Sequence, residues 1–140
     1  MAADRDREAS IPDLSLEWQI LLRDRPNVLL TGSHEMIEVA LAALSPHLEP
    51  TVGEWSWEAG LPAPRNVVTM LLRNLHALSN DQQHVVLAWL DGAGSNQIQV
   101  ISTASIDPFP LVQRGLFIKR LYYRLNVVRL DAWTLSDGVA

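Results

Sequence analysis

The stretch Val28-Leu29-Leu30-Thr31-Gly32-Ser33-His34-Glu35-Met36-Ile37-Glu38-Val39-Ala40-Leu41 decides how this chain is read. Val28 to Thr31 is an uncharged, mostly apolar run of the right length for a buried strand, and Gly32 breaks it. Ile37, Ala40, Leu41 and Leu44 then recur at the spacing of one helix face, which Pro46 closes. The order is strand, tight turn, helix.

Working outward, Leu14, Trp18, Leu21 and Leu22 follow the caps Asp13 and Ser15 at helical spacing and predict a helix ending near Pro26. Between Ser45 and Asn66 lie four prolines, three acidic residues and two tryptophans, so this reads as connection, with Thr51 to Trp57 its one strand. Trp55 and Trp57 then alternate as strand residues with one face buried. Val67 to Leu72 is the next apolar strand. Ser79 with Gln82 forms a capping-box pattern ahead of Val85, Val86, Trp89 and Leu90. Ile98 to Ala104 is a strand, the stretch from the Asp107 to Pro110 turn to Leu125 is helical with a break at Gly115, and Val127 to Leu130 is the last strand.

Short buried strands alternating with helices predict an α/β fold: a parallel sheet of about five strands covered by helices on both faces, joined by right-handed crossovers. A single domain is expected over residues 13–132, with flexible tails at 1–12 and 133–140. Ligands of such sheets sit at the carboxyl ends of the strands.

Composition narrows the function classes. At 140 residues and 48% apolar, the chain suits one core. The net charge of −5 argues against an indiscriminate nucleic-acid binder. Yet Pro108 to Leu130 holds Arg114, Lys119, Arg120, Arg124 and Arg129 and no acid, so the rest of the chain carries about −10. Cysteine is absent, which excludes disulfides, thiolate metal sites and thiol nucleophiles. The polar start is neither a secretory signal nor an anchor, and a cytoplasmic protein without a membrane role is expected. His34, His47, His76 and His84 show no metal spacing, so no metal is expected.

The turn after the first strand is where a phosphate-binding loop would lie. Such a loop reads G-x-x-x-x-G-K-[ST], its backbone N–H groups closing around phosphates and its Lys meeting their charge. Counted from Gly32, the Gly-Lys positions hold Ile37 and Glu38. Glu35 and Glu38 are expected in the first turns of the helix, where they satisfy its positive end and repel an anion. The third strand ends in Arg73-Asn74, where hydrolysis of a nucleotide would place an Asp for magnesium and a Glu for water. An arginine cannot hold Mg²⁺, and an asparagine is no general base.

These residues carry a resemblance. Thr69-Met70-Leu71-Leu72-Arg73-Asn74-Leu75, continuing through Leu78, Gln83, Leu87 and Leu90, resembles the Walker B strand and following helix of bacterial sigma-54-dependent activators, enhancer-binding AAA+ proteins. Ile98 to Asp107 is similar to their sensor-one strand. Gly115-Leu116-Phe117-Ile118-Lys119-Arg120-Leu121-Tyr122-Tyr123-Arg124-Leu125-Asn126-Val127-Val128 resembles their G-R-F-R-x-D-L-Y-Y-R-L-N-V segment. The resemblance spans Pro26 to Leu130 and is firmest from Val67 onward.

Carried over residue by residue, it records loss. The sensor Asn position is Ser105, the first trans-acting arginine is Ile118, and Arg124 matches the second. The GAFTGA loop that contacts sigma factor has no counterpart, and the lid subdomain is expected to be absent. The resemblance therefore implies an AAA+-like module without ATP hydrolysis, not an enzyme, with no cofactor. It would work by binding a protein, either an intact AAA+ activator or a second copy of itself as a homo-oligomer, in bacterial transcription regulation or signalling. The alternative is a weak nucleotide-binding domain without hydrolysis, using Arg73 and Arg124. Arg120, Tyr123 and Arg124 are the candidate interface residues. Against each stands a plainer reading: Arg124 paired with local acids, Arg73 and Asn74 as decay of an unused site, and the tyrosine pair as half core and half rim.

Overall fold

The computed structural model describes residues 22–48, 52–55, 57, 68–92 and 98–132. Both expected tails lie outside this set, as does the predicted N-terminal helix apart from Leu22 and Arg23, which are helical. The elements are β1 (Val28–Thr31), α1 (His34–Leu44), β2 (Val52–Glu54), β3 (Thr69–Leu72), α2 (Asn80–Asp91), β4 (Gln99–Ala104), α3 (Phe109–Gln113), α4 (Lys119–Leu125) and β5 (Val128–Asp131). Short 3₁₀ turns at Ser45–His47 and Leu75–Ala77 were not expected from the sequence.

The five strands form one sheet in the order β2-β3-β4-β1-β5, every pair parallel. Both β1 and β4 are buried along their whole length, which is why they lack the alternation of a half-exposed strand. Alternate residues of each strand face opposite layers. One layer packs Leu29, Met70, Leu72 and Val100 against Leu75, α2 (Val86, Leu90) and α4 (Leu121, Tyr122, Leu125). The other packs Val28, Leu30, Ile101 and Leu130 against Ile37, Ala40 and Leu44 of α1. Truncating a fully buried residue such as Leu29 or Leu121 to Ala would cost about 2–5 kcal/mol.

The caps follow the sequence. Ser33 Oγ accepts from the Met36 N–H at 3.2 Å and starts α1. Ser79 and Gln82 form the predicted reciprocal box, with bonds of 3.1 and 2.9 Å. Gly115, at φ +75, ends α3 in the left-handed conformation, and Leu116 and Phe117 then fold back to donate to the Leu111 carbonyl. The tryptophan expectation is corrected. Trp55 and Trp57 fall after β2, Trp55 is buried edge-on against Trp89 and Trp57 is partly exposed, because the strand ends at Glu54.

Candidate functional site

After β1 the chain crosses to β2 at one edge, builds back through β3 and β4, and then places β5 on the far side of β1. That reversal puts the ligand crevice of such a sheet beyond the carboxyl ends of β1 and β4. The residues there are Thr31-Gly32, Arg73-Asn74, Ala104-Ser105 and Asp131-Ala132.

The turn from β1 to α1 consists of Gly32 and Ser33 alone. It is pinned from two sides. Gly32 N–H donates to the Ala104 carbonyl at 3.3 Å, and a Cβ added at Gly32 would stand 3.0 Å from the Ala132 Cβ. Its φ of +150 disfavours any other residue. A loop that encloses phosphates needs several more residues than this turn contains. Ile37, at the position of the loop's second glycine, is a buried core residue of α1.

Glu35 lies in the first turn of α1 and is exposed, but Glu38 sits in the second turn and serves a different partner. Arg73 donates from Nη1 to Glu38 Oε2, and its Nε lies 3.3 Å from Glu54 Oε2. The expectation that both glutamates neutralise the helix end is thus corrected: Glu38 is too far along the helix and is turned across the sheet. Burial by itself would lower the Arg73 pKa. The hydrogen bond to Glu38 and the charges of Glu54 and Glu38 outweigh it, so the guanidinium is held above its ordinary range and stays cationic. By linkage, its own titration withdraws stability only in strong alkali.

Asn74 adopts the left-handed conformation at φ +57, and its N–H donates to Thr103 Oγ1 at 3.1 Å. Ser105 Oγ lies 3.3 Å from His76 Nε2, a pair that sequence spacing did not join because His76 stands on the unexpected 3₁₀ turn. No carboxylate orients that imidazole, and its Nδ1 is buried without a partner among the described residues. No group of three His, Cys, Asp or Glu side chains fit for a metal ion occurs among them.

Arg120 and Arg124 converge on one acid. Arg120 Nη2 reaches Asp91 Oδ2 at 2.9 Å and Arg124 Nη1 reaches Asp91 Oδ1 at 2.5 Å, while Arg124 Nη2 donates to the Leu90 carbonyl at 2.8 Å. Two cations thus close the C-terminus of α2, which the helix dipole favours. Tyr122 is buried and Tyr123 is half exposed, their rings 5.1 Å apart. Gln83, which the sequence reading did not single out as polar core, is 1% exposed and holds α2 to the α3–α4 turn. It donates to the Leu78 and Leu116 carbonyls and accepts from Ile118 N–H. A polar residue on the apolar face of α2 was the available signal.

The Glu and Arg signs, the short turn and the Ala132 contact do not fit a bound triphosphate with its magnesium. Glu38 and Arg73, the residues that the sequence comparison sets against the loop's cation and the metal-binding acid, are joined to each other. No helix among the described residues is long and apolar enough to cross a membrane.

No protein-family model and no curated protein sequence matches the chain. Solved structures do. The ATP complex of NtrX from Brucella abortus superposes with a TM-score of 0.68 at 13% identity, covering 88% of this chain and 36% of that one. Its ADP complex gives 0.59 at 17% identity over 94% of this chain and 39% of that one. A third NtrX structure gives 0.57 at 16% identity over 94% of this chain and 41% of that one. The chain therefore spans about two fifths of NtrX or less. Likeness at these identities establishes architecture alone: a five-stranded parallel α/β sheet of the AAA+ type.

Proposed function

We propose that this chain is a non-catalytic AAA+-like module that acts by binding another protein, in bacterial transcription regulation or signalling. The observation that carries the reading is the Glu38–Arg73 ion pair, in which the charges of a nucleotide site are exchanged and spent on each other. A phosphate arriving there meets a carboxylate, and a magnesium ion meets a guanidinium. Both contacts are repulsive. The two-residue turn at Gly32 and Ser33 supports the same reading, since it leaves no loop to wrap an anion.

What the sheet and helices then provide is a shaped surface. The half-exposed Tyr123, between Arg120 and Arg124 on α4, is the contact face of this reading, with an intact AAA+ activator of the sigma-54 class or a second copy as partner. The two arginines are held by Asp91, so they present ordered cations to a partner's acids. Mixing the purified protein with such an activator should change the activator's ATPase rate in proportion to the amount added. A rate unchanged up to a large molar excess, together with a monomeric mass in solution, would sink the proposal.

The second reading, weak nucleotide binding without hydrolysis, draws on the ATP and ADP bound by NtrX, the protein whose structures this chain resembles. It has to place phosphates without the loop, and the nucleotide test below separates the two.

A further inference from the structure

Between α1 and the β2–β3 side of the sheet lies a cavity of about 290 Å³. We propose that it binds a small linear ligand with an ammonium head, an apolar middle and a hydrogen-bonding tail. Nothing in the module reading above requires this site, and either can stand without the other.

The middle of the cavity is apolar, walled by Leu41 of α1, Leu71 of β3 and, beside it, Ile101 of β4, and Leu48 with Val52 of β2, which pairs with Thr69, carries the apolar wall on toward the far end. Its two ends are polar. Along β3 the lining residues run from Thr69 to Arg73, a span of about 13 Å at the rise of a strand. Its volume lies just below the range of drug-sized ligand sites, roughly 300–1,000 Å³, and so calls for a smaller ligand. A short chain with two functional ends matches that shape better than a compact or branched molecule.

The charge at the Arg73 end selects the head. Glu38 and Arg73 line the cavity there, and Glu54 joins them through the Arg73 Nε contact. Among the described residues, two carboxylates against one guanidinium leave this end one negative charge in excess. Each carboxylate meets Arg73 through Oε2, and a carboxylate has room for further N–H donors on its other oxygen. An ammonium group brings the cluster to neutrality and supplies such donors, whereas a carboxylate head would double the excess.

The other end selects the tail. Thr69 is 1% exposed and lines the cavity, and its Oγ1 has no hydrogen-bond partner among the described residues. Buried hydroxyls are normally paired, so an unpaired one in a cavity wall marks where a ligand's polar atom is wanted. Ser45 lies in the same lining and adds a second hydroxyl.

The test uses three probes with one six-carbon chain, one terminal hydroxyl and different heads: 6-amino-1-hexanol, 1,6-hexanediol and 6-hydroxyhexanoate. Titrations followed by amide NMR shifts should give the amine an affinity about fivefold or more above the diol, and the acid weaker than both, as one excess charge dictates. Ala42, exposed on α1 and part of the lining, gives a blocking variant that does not disturb the core. Ala42→Phe should abolish amine binding while the thermal midpoint changes by no more than about 2 °C, as for other surface substitutions. Glu38→Gln should erase the preference for amine over diol. Equal binding of the three probes, preference for the acid, persistence of amine binding in Ala42→Phe, or no binding of any probe at millimolar concentration would each overturn the proposal.

Discussion

Arg73 and Glu38, 35 residues apart in sequence, meet as a direct ion pair between the end of β3 and the second turn of α1, and Glu54 flanks the arginine from β2. The pair therefore couples three elements on one face of the sheet. Both side chains are partly in water, 31% and 42% exposed, so the pair's worth is modest. A double-mutant cycle with Arg73→Glu and Glu38→Arg should show each single change destabilising and the exchanged pair recovering about 0.5–1 kcal/mol of coupling. Urea denaturation at low and high salt measures it, with the coupling shrinking as salt rises. Independent, additive losses would mean that the contact contributes nothing.

Nucleotide should leave the protein unmoved. At 100 times Kd a ligand raises stability by about 2.7 kcal/mol, an effect easily seen as a shifted melting curve. Millimolar ATP or ADP, with or without Mg²⁺, is expected to give no shift. The charge-exchanged variant Glu38→Lys with Arg73→Asp should also give none, since the turn of Gly32 and Ser33 is unchanged. A shift in the parent protein favours the weak-binding reading, and a shift in the variant alone would show that charge, not loop length, is the barrier.

Gly32 should tolerate no side chain. Alanine there meets both a backbone conformation unsuited to it and the Ala132 Cβ at 3.0 Å. Gly32→Ala is expected to cost about 1–3 kcal/mol. Adding Ala132→Gly removes the contact but not the φ, so only part of the loss should return. Complete recovery would assign the whole cost to the collision.

Gln83 should behave as a polar keystone of the α2 side. Leucine in its place leaves the Leu78 and Leu116 carbonyls and the Ile118 N–H without this partner. Unpaired buried groups cost about 1–3 kcal/mol apiece, and since two of these three bonds are only part-buried, Gln83→Leu should lose roughly 2–5 kcal/mol by chemical denaturation. A loss below about 0.5 kcal/mol, the scale of a neutral surface change, would show that other groups or water take over the bonds.

Tyr123 separates stability from binding. It is 52% exposed, so Tyr123→Glu should change stability by less than about 1 kcal/mol. The same change sets an acid between Arg120 and Arg124 and removes an aromatic contact, and it should weaken any effect on an activator's ATPase rate at least about tenfold if α4 is the contact face. An undiminished effect would move the interface elsewhere.

Much of the architecture was legible because it rests on local pattern. The strands other than β2 were visible as short, mostly apolar runs, and the break at Gly115 follows from a residue free to take φ +75. Ser79 and Gln82 announced the start of α2 because a cap joins residues only three apart. The 3₁₀ turn at Leu75–Ala77 was not legible. It depends on Asn74 taking a left-handed conformation stabilised by Thr103, a residue 29 positions away.

The sequence by itself determined the alternation of strands and helices, and that an acid stands at position 38 and a cation at position 73, since each is written in residue type and spacing. Only the tertiary structure decided that β1 lies between β4 and β5, that Glu38 spends its charge on Arg73 and not on its own helix, and that Asp91 gathers Arg120 and Arg124. The physical reason is range. Periodicity and capping act over a few residues, while pairing of charges and choice of sheet neighbours depend on which distant segments burial brings together.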